Sequence, residues 1–214
     1  MPSAPASVAA VGAEEQILVA AREEFVGKGF AGARMAAIAE RAGINKGLLH
    51  YYFRSKDQLF QRVFREAIGL MIPTIYGALS GPEPVAEKLD RLVDRYHATL
   101  LANPHVPVFI VHELATNRER LAAHLAERLG PKRAIADFFA QVRAEAEVGA
   151  IAPVDPLQLL LHVMSLVAFP FVARDFISAT TATPTTDYDR ALTRRAPLVK
   201  DLLRHVINPD NSPS

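Results

Sequence analysis

Apolar residues recur at helical spacing along almost the whole chain, and no run alternates with period two for long enough to build a sheet. The expected fold class is therefore all-α. Ile17, Leu18, Ala21 and Phe25 form one face of a first helix, with Glu14 and Glu15 in its first turn and Gly27 and Gly29 at its end. Met35, Ile38, Ala39 and Ala42 mark a short second helix that stops at Gly43, a position suited to a left-handed C-cap, and Asn45 caps a third. Ser55 is the expected N-cap of a long helix carrying Leu59, Phe60, Val63, Phe64, Ala67 and Met71, with Pro73 in it or just beyond.

The segment Gly81-Pro82-Glu83-Pro84 punctuates the chain and opens a helix striped by Val85, Leu89, Leu92, Val93, Tyr96 and Leu100. After Asn103-Pro104, Phe109, Val111 and Leu114 carry the next. Leu121, Leu125 and Leu129 mark a further helix, broken or kinked at Gly130-Pro131 before Ile135, Phe138, Phe139 and Val142, and ended by Gly149. Asp155-Pro156 starts a helix from Leu157 to about Ala179 that is apolar on nearly all sides, a pattern that requires burial against both its own core and a partner. The last helix is expected over Asp187–Ile207, with Pro197 predicting a kink or a break.

Composition narrows the classes. Half of the 214 residues are hydrophobic and 22% are charged, as in a soluble globular protein. The net charge of +1 supplies no global basic field, so affinity for nucleic acid has to come from a local patch. Cysteine is absent, which excludes disulfide scaffolds, Cys-based zinc sites and thiol catalysis, and makes the cytoplasm the default location. Residues 1–12 lack the basic leader and apolar core of a signal peptide and read as a disordered tail, as do residues 209–214. The most apolar run, Leu157–Ala173, is interrupted by Gln158, His162 and Pro170 and falls short of the roughly 20 residues of a membrane span. No His/Asp/Glu set has a chelating spacing, so neither a metal nor another cofactor is expected.

The two short helices flanking Ala42-Gly43-Ile44-Asn45 have the form of a helix-turn-helix over Ala36–Tyr52. Lys46–Tyr52 is too short to stand alone, so its neighbours must hold it, and it can expose Lys46, Gly47, Leu48, His50 and Tyr51. Lysine can meet a phosphate or a guanine, tyrosine and histidine can donate to phosphate oxygens, and glycine lets a backbone approach closely. Between Arg34 and Lys56 the bases are Arg34, Arg41, Lys46, Arg54 and Lys56, against the single acid Glu40.

The runs ILVAAREEFVGKGF (17–30) and IAERAGINKGLLHYYFRSKDQL (38–59) resemble the N-terminal domain of TetR-type transcriptional regulators. The resemblance implies a three-helix DNA-binding domain over 13–58, joined through a long helix to a helical ligand-binding and dimerisation domain over 59–208. It implies that Lys46, Gly47 and Leu48 face base edges while His50, Tyr51 and Lys56 clamp phosphates, with Asn45 alongside. The family usually starts its second helix with Thr or Ser; here Ala33 and Arg34 stand instead, and Arg34 is the expected phosphate contact in place of that hydroxyl. The implied partners are a palindromic double-stranded operator, a second copy of the chain and a small-molecule effector that releases a repressor. Tyr96, His97, Leu100, Phe109, His112, Phe138, His162 and Leu166 are the candidate effector contacts, setting a few polar atoms among apolar and aromatic walls. The alternative is a helical small-molecule binder without DNA recognition, or an enzyme using His112 or His162 with Glu113; no nucleophile, base and orienting group share a motif-level spacing, so no catalysis is expected.

Overall fold

The structure, a computed structural model, describes residues 6–116 and 133–211. The described residues form helices and no strand: α1 (Ala6–Gly32), α2 (Met35–Arg41), α3 (Lys46–Tyr52), α4 (Lys56–Leu79), α5 (Val85–Ala102), α6 (His105–Thr116), α7 (Arg133–Glu147), α8 (Pro156–Val172), α9 (Arg174–Thr181), α10 (Thr185–Thr193) and α11 (Arg195–Val206), then a 3-10 turn at Pro209–Asn211. The helix expected around Leu121, Leu125 and Leu129, with its break at Gly130-Pro131, lies outside the described residues.

Two compact units divide the chain, one of Met1–Gly69 with Val108–His124, the other of Leu70–Pro107 with Leu125–Ser214. The first unit takes in α1 to α3, the start of α4 and part of α6. Within that unit α1 begins at Ala6, inside the stretch expected as a tail, because the alanines there are strong helix formers. At Gly29 the backbone leaves helical geometry (φ 65°, ψ 176°), a left-handed φ that favours glycine, and the imidazole of His112 lies against the space a Cβ would need. The core of this unit is aromatic. Phe60 meets Phe25 edge-on at 5.1 Å between centroids and Phe30 at 5.0 Å, and Phe109 packs on Phe60 at 5.3 Å and on Phe64 at 5.9 Å. Each such burial contributes about 1.5–3 kcal/mol.

In the second unit α5 presents Val85, Leu89, Leu92, Val93, Tyr96 and Leu100 as one buried face. That face packs against α7, α8 and α11, which bury Phe138 and Val142, Leu159, Val163 and Val167, and Val199 and Leu203 respectively. Both oxygens of Glu145 accept the Val85 amide at 3.1 Å, fixing the start of α5. Lys200 reaches Asp94 at 2.9 Å, and Arg204 pairs with Asp90, tying α11 to the outer side of α5.

Two expected helices are each observed as a pair. The helix from Leu157 breaks at Ala173, where α8 and α9 are bent by 68°. Pro170 explains this, since it lacks the N–H that would bond the Leu166 carbonyl. The last helix breaks at Arg194 between α10 and α11, so Pro197 falls in the first turn of α11, where a missing N–H costs no helical bond. No single helix among the described residues is long and apolar enough to cross a membrane.

Candidate nucleic-acid interface

The helix-turn-helix is built on backbone hydrogen bonds and three apolar side chains. The Ile44 amide donates to the Ala39 carbonyl at 3.0 Å across the turn, and Gly43 sits at φ 67°, closing α2 with the left-handed residue its sequence offers. Asn45 caps α3, its Oδ1 accepting the Leu48 amide at 2.8 Å. Ile38 and Ala39 of α2 and Leu49 of α3 are buried, and the two helices pack on each other. Leu49 is the single fully buried residue of α3 and Tyr52 is half-buried, while the other residues of this short helix face solvent.

Asn45, Lys46, Gly47, Leu48, His50 and Tyr51 are all exposed. Tyr51 is 77% exposed, an unusual cost for an aromatic side chain in a folded chain, and its ring stands edge-on to Tyr52 at 5.5 Å. An ammonium, an imidazole, a phenol and a bare glycine backbone are thus brought to one outer surface. Such a surface can donate to phosphates and base edges. Phe53, the C-cap of α3, is buried.

The remaining cations of the segment behave differently from one another. Arg34 and Arg54 are exposed. Lys56 is turned towards its own protein: its Nζ donates to the carbonyls of Ala31 at 3.3 Å and Ala33 at 3.1 Å and lies 4.7 Å from the centre of the Phe30 ring. Two of its three donors therefore close the end of α1, a task that sequence spacing does not reveal. Arg41 is held by Glu23 at 2.8 Å.

Sequence reasoning missed Glu24. It lies seven residues after Ile17, on the apolar face of α1, and its side chain is fully buried. Oε1 accepts Lys28 at 2.9 Å and the Arg34 amide at 3.4 Å, and Oε2 lies 3.7 Å from the Arg41 guanidinium. Burial works against its charge, but Lys28, the Arg34 amide and Arg41 outweigh it and hold the carboxyl below its usual range. A charged residue at a core position, with lysine four residues on, was the available signal.

The candidate effector contacts separate between the units. Phe109 and His112 belong to the first unit, where Phe109 is core and His112 packs on Gly29. Tyr96, His97, Leu100, Phe138, His162 and Leu166 belong to the second, on the mutually packed α5, α7 and α8. Tyr96, His97, Leu100 and Phe138 are buried, Leu166 is half-buried and His162 is exposed. Burial pushes the Tyr96 phenol up to about 12. His97 Nε2 lies 2.9 Å from the Leu192 carbonyl. Among the described residues no group of three or more acidic or histidine side chains is placed to hold a metal ion.

Residues 17–63 match the profile of bacterial regulatory proteins, tetR family. The chain is 31% identical over 153 residues to the HTH-type transcriptional repressor SCO4008 of Streptomyces coelicolor, a match covering 72% of this chain and 74% of that one. It is 32% identical over 81 residues to the HTH-type transcriptional activator FasR of Mycolicibacterium smegmatis, covering 38% of this chain and only 37% of that relative's length. Among solved structures, the transcriptional regulator FadR from Bacillus subtilis, crystallised with stearoyl-CoA, superposes with a TM-score of 0.59 at 18% identity, over 88% of this chain and 96% of that one.

Proposed function

The chain belongs to the tetR family of bacterial regulatory proteins, whose members are ligand-responsive transcriptional regulators, and we propose that it is a repressor that binds a palindromic operator as a homodimer and leaves it on binding a small molecule. The observation that carries this reading is the α3 surface: Leu49 inward, and Lys46, Gly47, Leu48, His50 and Tyr51 outward. In a two-fold dimer each α3 enters a major groove, with half-sites ~34 Å apart or a multiple of that spacing. Leu48 and the Lys46–Gly47 backbone read base edges while the Lys46 ammonium meets a phosphate beside them; Arg34, His50 and Tyr51 grip further phosphates, and Lys56 adds its remaining donor.

The dimer forms through the outer faces of α8 and α11, which pack on each other and leave Leu157, Leu161, Phe169, Leu198 and Leu202 exposed. Surface of that kind is expensive to leave in water, and an obligate interface typically buries ~2,000 Å² or more. His162 lies exposed on the same helix and is assigned to this face.

The effector binds in the second unit against Tyr96, His97, Leu100, Phe138 and Leu166. The burial of the Tyr96 phenol among apolar neighbours supports this, as does the stearoyl-CoA found in the Bacillus regulator of the same fold. An effector that prefers the released state by about 1–3 kcal/mol weakens operator binding 5- to 150-fold. Action on DNA places the protein in the cytoplasm. Selection of duplexes from a random-sequence pool by the purified protein tests the reading. Enrichment of an inverted repeat is expected, and failure to enrich any duplex contradicts it.

A further inference from the structure

A carboxylate with no exposed surface needs an explanation, because a charge out of water is costly unless its partners replace the lost hydration. Glu24 has such partners: Lys28 on its own helix, and one group from each end of α2. Arg34 is the N-cap residue of that helix, yet its side chain makes no capping bond. In a capping box the amide of the N-cap residue would be met by a glutamate three residues on, but that position is Ala37. Glu24 supplies the missing acceptor from α1, taking the Arg34 amide at 3.4 Å, while Lys28 holds the same oxygen at 2.9 Å. Its other oxygen makes no hydrogen bond and faces Arg41, in the last turn of α2, at 3.7 Å.

We propose that Glu24 is a positioning residue for the DNA-reading helix: a capping carboxylate lent by α1 that holds both ends of α2, and through the Ile38–Ala39–Leu49 contact sets how α3 is presented. The α2 helix spans only seven residues and depends on such anchors. The absence of a hydroxyl at the start of α2 is thereby compensated from another helix. Negative charge beside the first amides of α2 also suits its dipole. The effect on DNA rests on the operator-binding reading above; the anchoring of α2 does not.

The test is amide hydrogen exchange on the full chain, together with binding to a duplex selected from a random pool by the wild-type protein. Glu24→Gln keeps the size and removes the charge. It is expected to speed exchange of the α2 amides about tenfold, leave those of Ile17–Ala21 and of the second unit unchanged, and weaken duplex binding about tenfold. Adding Ala37→Glu supplies the glutamate half of a capping box, a local acceptor for the Arg34 amide, and is expected to restore α2 protection. Unchanged α2 exchange in Glu24→Gln overturns the proposal, as does faster exchange spread evenly over the first unit. Should that variant fail to fold, Arg41→Gln, altering a half-exposed side chain, is expected to speed exchange in the last turn of α2, and no change there overturns it. If the wild type selects no duplex, the DNA reading fails while the exchange data still decide the role of Glu24.

Discussion

Arg195 Nε donates to the carbonyl of Leu166 at 2.8 Å. That carbonyl is the one Pro170 leaves without a helical partner, so a side chain on α11 satisfies a backbone group freed four residues before a proline on α8. The Tyr188 hydroxyl donates to the Pro170 carbonyl at 2.9 Å, and Arg174 and Asp189 join α9 to α10 at 2.7 Å. The 68° bend is thus held by the C-terminal helices rather than left loose.

Arg195→Met should lower stability by about 1.5–3 kcal/mol in chemical denaturation, the range for a hydrogen bond to a charged group. The same change made on a Pro170→Ala background should cost clearly less, because an alanine in place of the proline can offer the Leu166 carbonyl a backbone N–H. Equal costs in both backgrounds would count against this account of the bend.

His97 gives a pH dependence whose sign can be worked out. Burial pulls its imidazole below the ordinary 6.5 and the charge of Arg195 adds to this, while the bond to the Leu192 carbonyl and the charge of Asp94 oppose them; the Phe171 ring, 6.1 Å away, offers no charge. The unfolded chain therefore binds the proton more readily than the folded one. Stability from this group is complete above 6.5 and is lost as pH falls through the depressed value. Denaturation midpoints of the second unit are expected to decline as the pH falls below 6.5, and His97→Gln to remove that part of the decline. An identical decline in the variant would show that His97 is not its source.

Asn45→Ala removes the side-chain acceptor of the Leu48 amide and should cost about 0.5–2 kcal/mol, whereas Asn45→Ser should retain most of the cap. Because α3 is so short, exchange of its own amides should report the loss first. Equal protection of α3 in the alanine and serine variants would remove the cap from the explanation.

The assembly is open to a direct check. Leu161→Glu together with Leu202→Glu places charges on the exposed faces of α8 and α11 without touching a buried residue. Sedimentation should find the wild type at the mass of two chains and the double variant at that of one. A double variant that still sediments as a dimer would move the interface elsewhere.

Much of the first unit was legible in the sequence because its signals are local. Gly43 and Asn45 announce the turn and the cap by residue type, and of the small core that spacing offers, Ile38, Ala39, Ile44 and Leu49, all but the half-buried Ile44 are buried. The roles of Lys56 and Glu24 were not legible, since each depends on groups brought close only by folding: Ala31, Ala33 and Phe30 for the one, Arg34 and Arg41 for the other. The bends in the second unit were half legible. Pro197 was visible as a breaker yet sits harmlessly in the first turn of α11, whereas Pro170, visible only as an interruption of the apolar run, is the proline at the bend; the difference depends on where α8 and α11 begin. The effector contacts were least legible, because a buried aromatic or histidine looks the same in sequence whether it lines a pocket, as proposed for Tyr96, or fills a core, as Phe109 does.

The central claim is that α3 carries its cationic and aromatic outer side into duplex DNA. Its most direct test is a salt titration of binding to the selected duplex by the wild type and by Lys46→Ala. The account predicts weaker binding in the variant and a slope of log affinity against log salt that is shallower by about one unit. Wild-type affinity and an unchanged slope across the salt range would contradict it.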